Sequence, residues 1–230
     1  MKVLLFGGTG MVGQGVLREC LLDPDVALVQ TVGRSATGAQ HAKLREVVHK
    51  DMSRYDAIEA QLTGFDACFF CLGISSVGME EAEYTRITYD MTMAAAEALS
   101  RLNPGMTFIY ISGAGTDSSE RGRLMWARVK GRTENALQRL PFKAAYAFRP
   151  GIIQPLHGVR SKTPVYQAFY VATKPILSLA HWLFPSVVLT TEEIGRAMIA
   201  AARRGAPKPI LESRDISALA AGSSTRSSLA

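Results

Sequence analysis

The chain has 230 residues, 47% of them hydrophobic and 20% charged, which is enough apolar material for one large α/β domain with a proper core. A net charge of +6 and a pI near 9.4 suit an anionic ligand, but basic residues are interspersed with acidic ones and no dense basic run marks a nucleic-acid surface. The three cysteines are an odd number and no signal peptide precedes the first apolar run, which argues against a secreted disulfide framework and for a reducing cytoplasm.

Lys2–Phe6 reads as a first strand, followed at once by glycines at 7, 10 and 13 and a helix over about Met11–Leu22. Strand, glycine-rich turn and helix together are the context of a dinucleotide site. Gly7 turns the chain off the strand, Gly10 lets backbone N–H groups approach a pyrophosphate, and Gly13 lets the helix lie close on the sheet. Thr9, Met11 and Val12 complete this candidate loop, whose helix N-terminus offers unpaired donors and partial positive charge.

Val26–Val32 is the second expected strand, ending at Gly33-Arg34-Ser35. At this tip an acidic residue reads a ribose 2′-hydroxyl, whereas arginine accommodates a 2′-phosphate. Arg34 has no carboxylate beside it in sequence, so NADPH is favoured over NADH, with Ser35 adding a hydrogen bond to the same phosphate. Leu44–His49 is a third strand, and Asp51 beyond it is either an adenine contact or a turn former. A short helix over Tyr55–Leu62 leads to the almost continuously apolar strand Phe65–Leu72, as a strand covered on both faces requires. Its pair Cys68-x-x-Cys71 therefore reads as core rather than redox. Cys71 and Leu72 close the strand, which ends in Gly73-Ile74-Ser75-Ser76, where a small residue lets the backbone pass over a nicotinamide ribose.

Glu81–Leu102 reads as one long helix, broken by Asn103-Pro104-Gly105. Thr107–Ile111 is strand five, ending at Ser112-Gly113, and helix Leu124–Leu140 follows a polar loop. Ala144–Phe148 is strand six, ending at Arg149-Pro150-Gly151 with Ile152 beyond. This rhythm of six strand-and-helix alternations implies a doubly wound parallel sheet of Rossmann type. The rhythm then breaks. About 152–189 reads as a small helical lid rich in aromatics (Tyr166, Phe169, Tyr170, Trp182, Phe184), with Lys174, Pro175, His181 and Pro185 dividing it into pieces too short to span a membrane. Thr190-Thr191-Glu192-Glu193 starts a last helix to Arg203, and Pro207–Leu211 is a final strand. Residues 1–212 thus form a single nucleotide-binding domain, and 213–230, rich in Ser and Ala, read as a polar tail tending to disorder.

With these residues in hand, residues 1–202 resemble the short-chain dehydrogenase/reductase superfamily, in particular its atypical and extended members that are like NAD(P)-dependent epimerases, dehydratases and isomerases. The resemblance rests on Gly7–Gly13, Cys71-Leu72-Gly73, Ile111-Ser112-Gly113, Val129-Lys130-Gly131, Phe148-Arg149-Pro150-Gly151 and Thr191-Glu192-Glu193-Ile194-Gly195. It implies a cofactor site that also uses Lys130, Pro150, Gly151 and Ile152. It further implies catalysis by a Tyr-x-x-x-Lys pair with a serine at the end of strand five. Tyrosine moves the proton, and the lysine, four residues on and on the same helix face, lowers the tyrosine pKa and holds the nicotinamide ribose. Here Lys130 and Ser112 match, but Trp126 stands where the tyrosine belongs, and indole has no proton of suitable acidity.

Replacements for that acid are Tyr84, Tyr89, Tyr166, Tyr170, His157, His181, or a water held by Ser112 and Lys130. The first functional reading is an NADPH-dependent oxidoreductase acting on a small apolar carbonyl-type substrate with a non-standard proton donor. The second is a catalytically silent NADPH-binding regulatory or assembly protein that presents the aromatic lid to a protein partner. A nucleotide-sugar epimerase or dehydratase is third, because only about 80 residues follow Gly151.

Overall fold

The computed structural model describes residues 1–158 and 187–224. Its strands are β1 (Lys2–Phe6), β2 (Leu28–Gly33), β3 (Leu44–Val48), β4 (Ala67–Phe70), β5 (Thr107–Ile111), β6 (Ala144–Arg149), β7 (Ile152–Gln154), β8 (Val188–Thr190) and β9 (Ile210–Glu212). Seven of them form one sheet in the order β3-β2-β1-β4-β5-β6-β9, with every pairing parallel. The order reverses direction between β1 and β4, and in such sheets ligands bind outside the carboxyl ends of the strands at that point.

Both faces of the sheet are covered. Val3, Leu5, Phe69, Ile109 and Phe148 pack against α1 (Met11–Leu22), α5 (Thr191–Arg204) and α6 (Ser213–Ser224). The alternate residues Leu4, Phe6, Phe70, Phe108 and Tyr110 pack against α3 (Met91–Leu102) and α4 (Met125–Leu137). Each strand residue so buried contributes roughly 1.5–3 kcal/mol, which accounts for the nearly unbroken apolar runs.

Helix α5 begins with a capping box. Thr190 Oγ1 accepts the Glu193 N–H at 3.0 Å while the Glu193 carboxylate accepts the Thr190 N–H at 2.7 Å. α5 lies tightly on α1, where a Cβ at Gly15 would sit 2.5 Å from Thr191 Cβ.

Four expectations change. The tail is not disordered from residue 213: α6 continues to Ser224 and buries Ile216 and Ala220. The expected helix Glu81–Leu102 is instead α2 (Glu81–Thr85), a π-turn (Arg86–Asp90) and α3. The short helix after β3 is a 3₁₀ turn, Asp56–Gln61. Ile152–Gln154 pairs in parallel with Val188–Thr190 as a separate two-stranded sheet. The aromatic lid between those strands lies outside the described residues.

Candidate active site

The glycine loop takes the conformation its spacing anticipates. Gly7 has φ +78°, and an added Cβ would fall 2.6 Å from the Cys71 carbonyl oxygen, so β1 can turn only against the bare end of β4. A Cβ on Gly13 would lie 2.1 Å from Gly7 O. Gly10 is the N-cap of α1 in extended conformation, with no side chain capping the first turn. The Gly10 N–H donates back to Gly7 O at 2.8 Å, and the uncapped first turn beyond it, Met11 and Val12, lines a cleft, as a pyrophosphate site requires.

Two clefts flank this loop and share Leu72. The smaller, about 350 Å³, is lined by Gly7, Gly8, Thr9, Gly33, Arg34, Ser35, Thr37 and Met52. The larger, about 670 Å³, runs from Gly10, Met11 and Val12 past Cys71, Leu72 and Gly73 to Ser112, Trp126, Lys130, Pro150 and Gly151. A further hollow of about 620 Å³ opens near Lys2, Leu28 and Phe65, at the opposite end of the strands from this chemistry.

At the β2 tip, Arg34 is exposed along the smaller cleft and has no carboxylate partner among the described residues. A carboxylate invisible in the local sequence does anchor its loop: Glu46, opposite Thr31 on β3, accepts the Thr37 N–H at 2.7 Å and the Thr37 hydroxyl. Glu46 does not itself line the cleft. Asp51 turns away, accepting the Ser53 N–H and hydroxyl, and these bonds hold its carboxyl below the usual range. Its neighbour Met52 lines the cleft instead. Strand alternation makes a similar exchange at β7, where Ile152 points outward and Ile153 reaches the cleft.

In the larger cleft, Ser112 Oγ lies 3.0 Å from Thr116 Oγ1, and Thr116 donates its only hydroxyl proton to Gly113 O at 2.8 Å. Ser112 must then donate to Thr116, so it offers the cleft lone pairs rather than a proton. Lys130 Nζ lies 3.4 Å from Tyr110 Oη and 3.5 Å from Ile111 O, with the ammonium 5.2 Å from the Tyr110 ring centroid. Desolvation pulls the Lys130 pKa down to about 8, the Glu134 charge opposing it. Cys71 does line the cleft, but desolvation pushes its thiol pKa upward, and Cys68 is fully buried. Neither is an activated thiolate.

Two polar supports hold this end. Arg149 donates to both Glu134 oxygens, at 3.0 and 2.6 Å, joining β6 to α4 in the interior. Asp117 accepts from Ser119, Arg121 and Gly122, which pulls its pKa down to about 2 and curls the loop after Ser112 on itself, while the Asp117 N–H donates to Ala127 O on α4 at 3.1 Å. That loop passes so close that a Cβ on Gly131 would meet Asp117 O at 1.8 Å.

The candidate acids separate by place. Tyr84 lines the cleft. Tyr89 lies instead under the Arg132 guanidinium, 4.1 Å from its ring centroid, and His157 pairs with Glu192 at 2.8 Å. Tyr166, Tyr170 and His181 lie outside the described residues. Ile74, Ser75 and Ser76, expected at the end of the fourth strand, line the larger cleft, whereas sequence reasoning missed Thr37, Met52, Val77 and Ile153. Only the alternation within β7 carried a readable signal, for Ile153.

The sequence model of the NAD dependent epimerase/dehydratase family matches residues 3–121. The mitochondrial protein fmp52 of Emericella nidulans is 30% identical over 159 residues, covering 66% of each chain, so this chain spans about two thirds of that relative. The mitochondrial protein fmp52-2 of Aspergillus terreus is 27% identical over 205 residues, covering 86% of this chain and 85% of that one. These relatives' mitochondrial names overturn the cytoplasmic expectation. Among solved structures, Bordetella bronchiseptica WbmF in complex with NAD+ aligns with a TM-score of 0.67 at 16% identity, over 97% of this chain and 77% of that one. An oxidoreductase of the short-chain dehydrogenase/reductase family from Burkholderia thailandensis aligns with 0.62 at 16% identity, over 92% and 90%. At such identities the likeness is one of fold.

Proposed function

The chain belongs to the NAD dependent epimerase/dehydratase family, and from that premise we propose an oxidoreductase that takes NADPH in preference to NADH and reduces a small apolar carbonyl-type substrate. The carrying observation is the paired cleft: an uncapped helix N-terminus at its centre, Arg34 and Ser35 at one end, Lys130 at the other. The residues present fit a dinucleotide. The first turn of α1 leaves its donors open, and an added Cβ at Gly73 would meet nothing within 4 Å, so that wall leaves room for a ligand.

When bound, a reduced nicotinamide supplies hydride. The chain supplies the rest. Gly10, Met11 and Val12 bind the pyrophosphate, Arg34 and Ser35 read the 2′-phosphate, and Lys130 holds the nicotinamide ribose. Ile74, Ile111, Trp126 and Ile153 provide the apolar wall that excludes water and favours an apolar acceptor. The relatives' names favour a mitochondrial setting for this activity.

Trp126 favours a second reading, a silent NADPH-binding protein that acts through a protein partner. Screening turnover of NADPH-loaded protein against small aldehydes separates the two.

The cofactor assignment is tested by calorimetric titration with NADPH and NADH, repeated on Arg34→Ala. The expected result is NADPH binding about tenfold tighter than NADH (about 1.4 kcal/mol), with the margin lost in the variant. Equal affinities in the native protein would remove the phosphate reader, and no binding of either nucleotide would remove the oxidoreductase.

A further inference from the structure

With indole at position 126 and the Ser112 proton committed to Thr116, the cleft needs an acid from elsewhere. We propose that the phenol of Tyr84, entering from α2 rather than from the helix that carries Lys130, is the proton donor of this site. The assignment rests on the oxidoreductase reading above.

Among the described residues, Tyr84 is the tyrosine that lines the cleft shared by Lys130, Ser112 and Trp126. The other described tyrosines are engaged elsewhere. Tyr55 donates to Met52 O, Tyr146 Oη accepts the Ala206 N–H, Tyr89 stacks on Arg132, and Tyr110 lies buried beside Lys130. Tyr84 is 2% exposed while lining the cleft, so packing fixes its ring. A donor held this way needs little reorganisation when a substrate arrives.

Helix α2 is clamped to α4 by the Glu81–Arg128 ion pair at 2.5 Å. Tyr84 follows Glu81 by three residues, and Lys130 follows Trp126 by four, so each pair shares one face of its own helix. Two helices thereby deliver the phenol and the ammonium that elsewhere in the superfamily would come from one.

The chain beyond Tyr84 adds a second observation. The π-turn Arg86–Asp90 interrupts the helix there, a feature that often marks functional sites. Within it, Thr88 is 5% exposed and its hydroxyl is buried with no aligned hydrogen-bond partner. An unsatisfied hydroxyl one turn from Tyr84 is a cost the fold carries. Thr88 lies close enough to favour the ionised phenol, although burial as a whole raises the Tyr84 pKa. The hydroxyl is placed to stabilise the phenolate left after proton donation, in a cleft that Lys130 also lines.

The step balances. Hydride from the reduced nicotinamide forms the new C–H bond at the carbonyl carbon, the C=O π pair takes the Tyr84 proton to form O–H, and the alcohol leaves. NADPH is oxidised, the carbonyl is reduced, and the phenolate regains its proton from water.

The test compares native protein with Tyr84→Phe, and with Tyr89→Phe as control, using NADPH and 4-nitrobenzaldehyde as the probe. Two further readouts do not depend on turnover. One is calorimetric NADPH affinity. The other is the Tyr84 ring ¹³Cζ resonance, identified by its loss in the variant, followed as the aldehyde is added to NADP⁺-loaded protein. The expected result is unchanged NADPH affinity in Tyr84→Phe, an aldehyde-dependent shift of that resonance, and reduction slowed on the order of 100-fold or more, with Tyr89→Phe unaffected. Normal reduction by Tyr84→Phe, or a resonance the aldehyde does not move, overturns the donor while leaving the oxidoreductase intact. Failure of the native protein to bind NADPH overturns both.

Discussion

The two ends of the cleft are made of different material. At the glycine-loop end the wall is main chain: Gly7 and Gly13 let β1, the end of β4 and α1 approach until no Cβ fits between them. At the other end the wall is side chains from separate elements: Tyr84 on α2, Ser112 after β5, Trp126 and Lys130 on α4. A site built from backbone constrains which residues can stand at fixed spacings along one short stretch. One built from converging side chains constrains only their meeting in space. The first kind carries a signature in sequence, and the second can exchange a phenol on one helix for a phenol on another.

The largest expected effects come from glycines at which backbone meets backbone, one at each end. Gly13→Ala puts a Cβ 2.1 Å from Gly7 O, and Gly131→Ala puts one 1.8 Å from Asp117 O. Neither carbonyl belongs to a flexible side chain that can swing aside, so each change should cost roughly 3 kcal/mol or more, read by chemical denaturation. The comparison predicts a difference in the folded fraction. Gly13→Ala should lose NADPH binding, whereas Gly131→Ala should keep most of it while displacing the loop behind Ser112. Equal loss of NADPH affinity in both would mean that the two ends are not separable.

Next in size is the Arg149–Glu134 clamp. Arg149 is 9% exposed and Glu134 1%, so Arg149→Met leaves a buried carboxylate without its partner, a loss of about 3–5 kcal/mol. The double change Arg149→Met with Glu134→Leu should recover much of it, because the cost lies in the stranded charge. If the double variant is no more stable than the single one, the clamp matters for its shape rather than its charge balance.

What was legible in the sequence follows the same division. The β1–loop–α1 unit, the parallel order and the α5 capping box were readable because each depends on local spacing or short-range hydrogen bonds. The π-turn was not, because Glu81–Leu102 keeps helical periodicity on both sides of Arg86–Asp90 and hides the interruption. The β7–β8 pair was hidden by length, since each strand has three residues and they lie far apart in the chain. Helix α6 did carry a signal: Ile216 and Ala220 lie four residues apart and both are buried, but the surrounding Ser and Ala gave the stretch the composition of a tail. At the site itself, Arg34 and Lys130, expected from motif position, line the two clefts. Asp51 and Ile152 each missed the wall by one residue: Asp51 lies in a loop with no periodicity to orient it, and Ile152 stands on the outward side of a three-residue strand whose alternation turns Ile153 inward.

The smallest effect reaches across both ends of the cleft through one proton. Burial pulls the Lys130 pKa from 10.5 down to about 8. Between those values the unfolded chain binds more protons than the folded one, so folding stability should rise with pH across that window. The open cleft screens part of the effect, leaving a gain on the order of 1 kcal/mol relative to Lys130→Met, which has no such proton to lose. Cofactor affinity should move the other way, because the ammonium proposed to hold the nicotinamide ribose is lost as pH rises through about 8. Denaturation and NADPH titration from pH 7 to 10 would then give opposite slopes in the native protein, both absent in Lys130→Met. Parallel slopes would sever Lys130 from the cofactor, because only an ammonium that is costly to bury and useful to the ligand makes stability and binding diverge with the same proton.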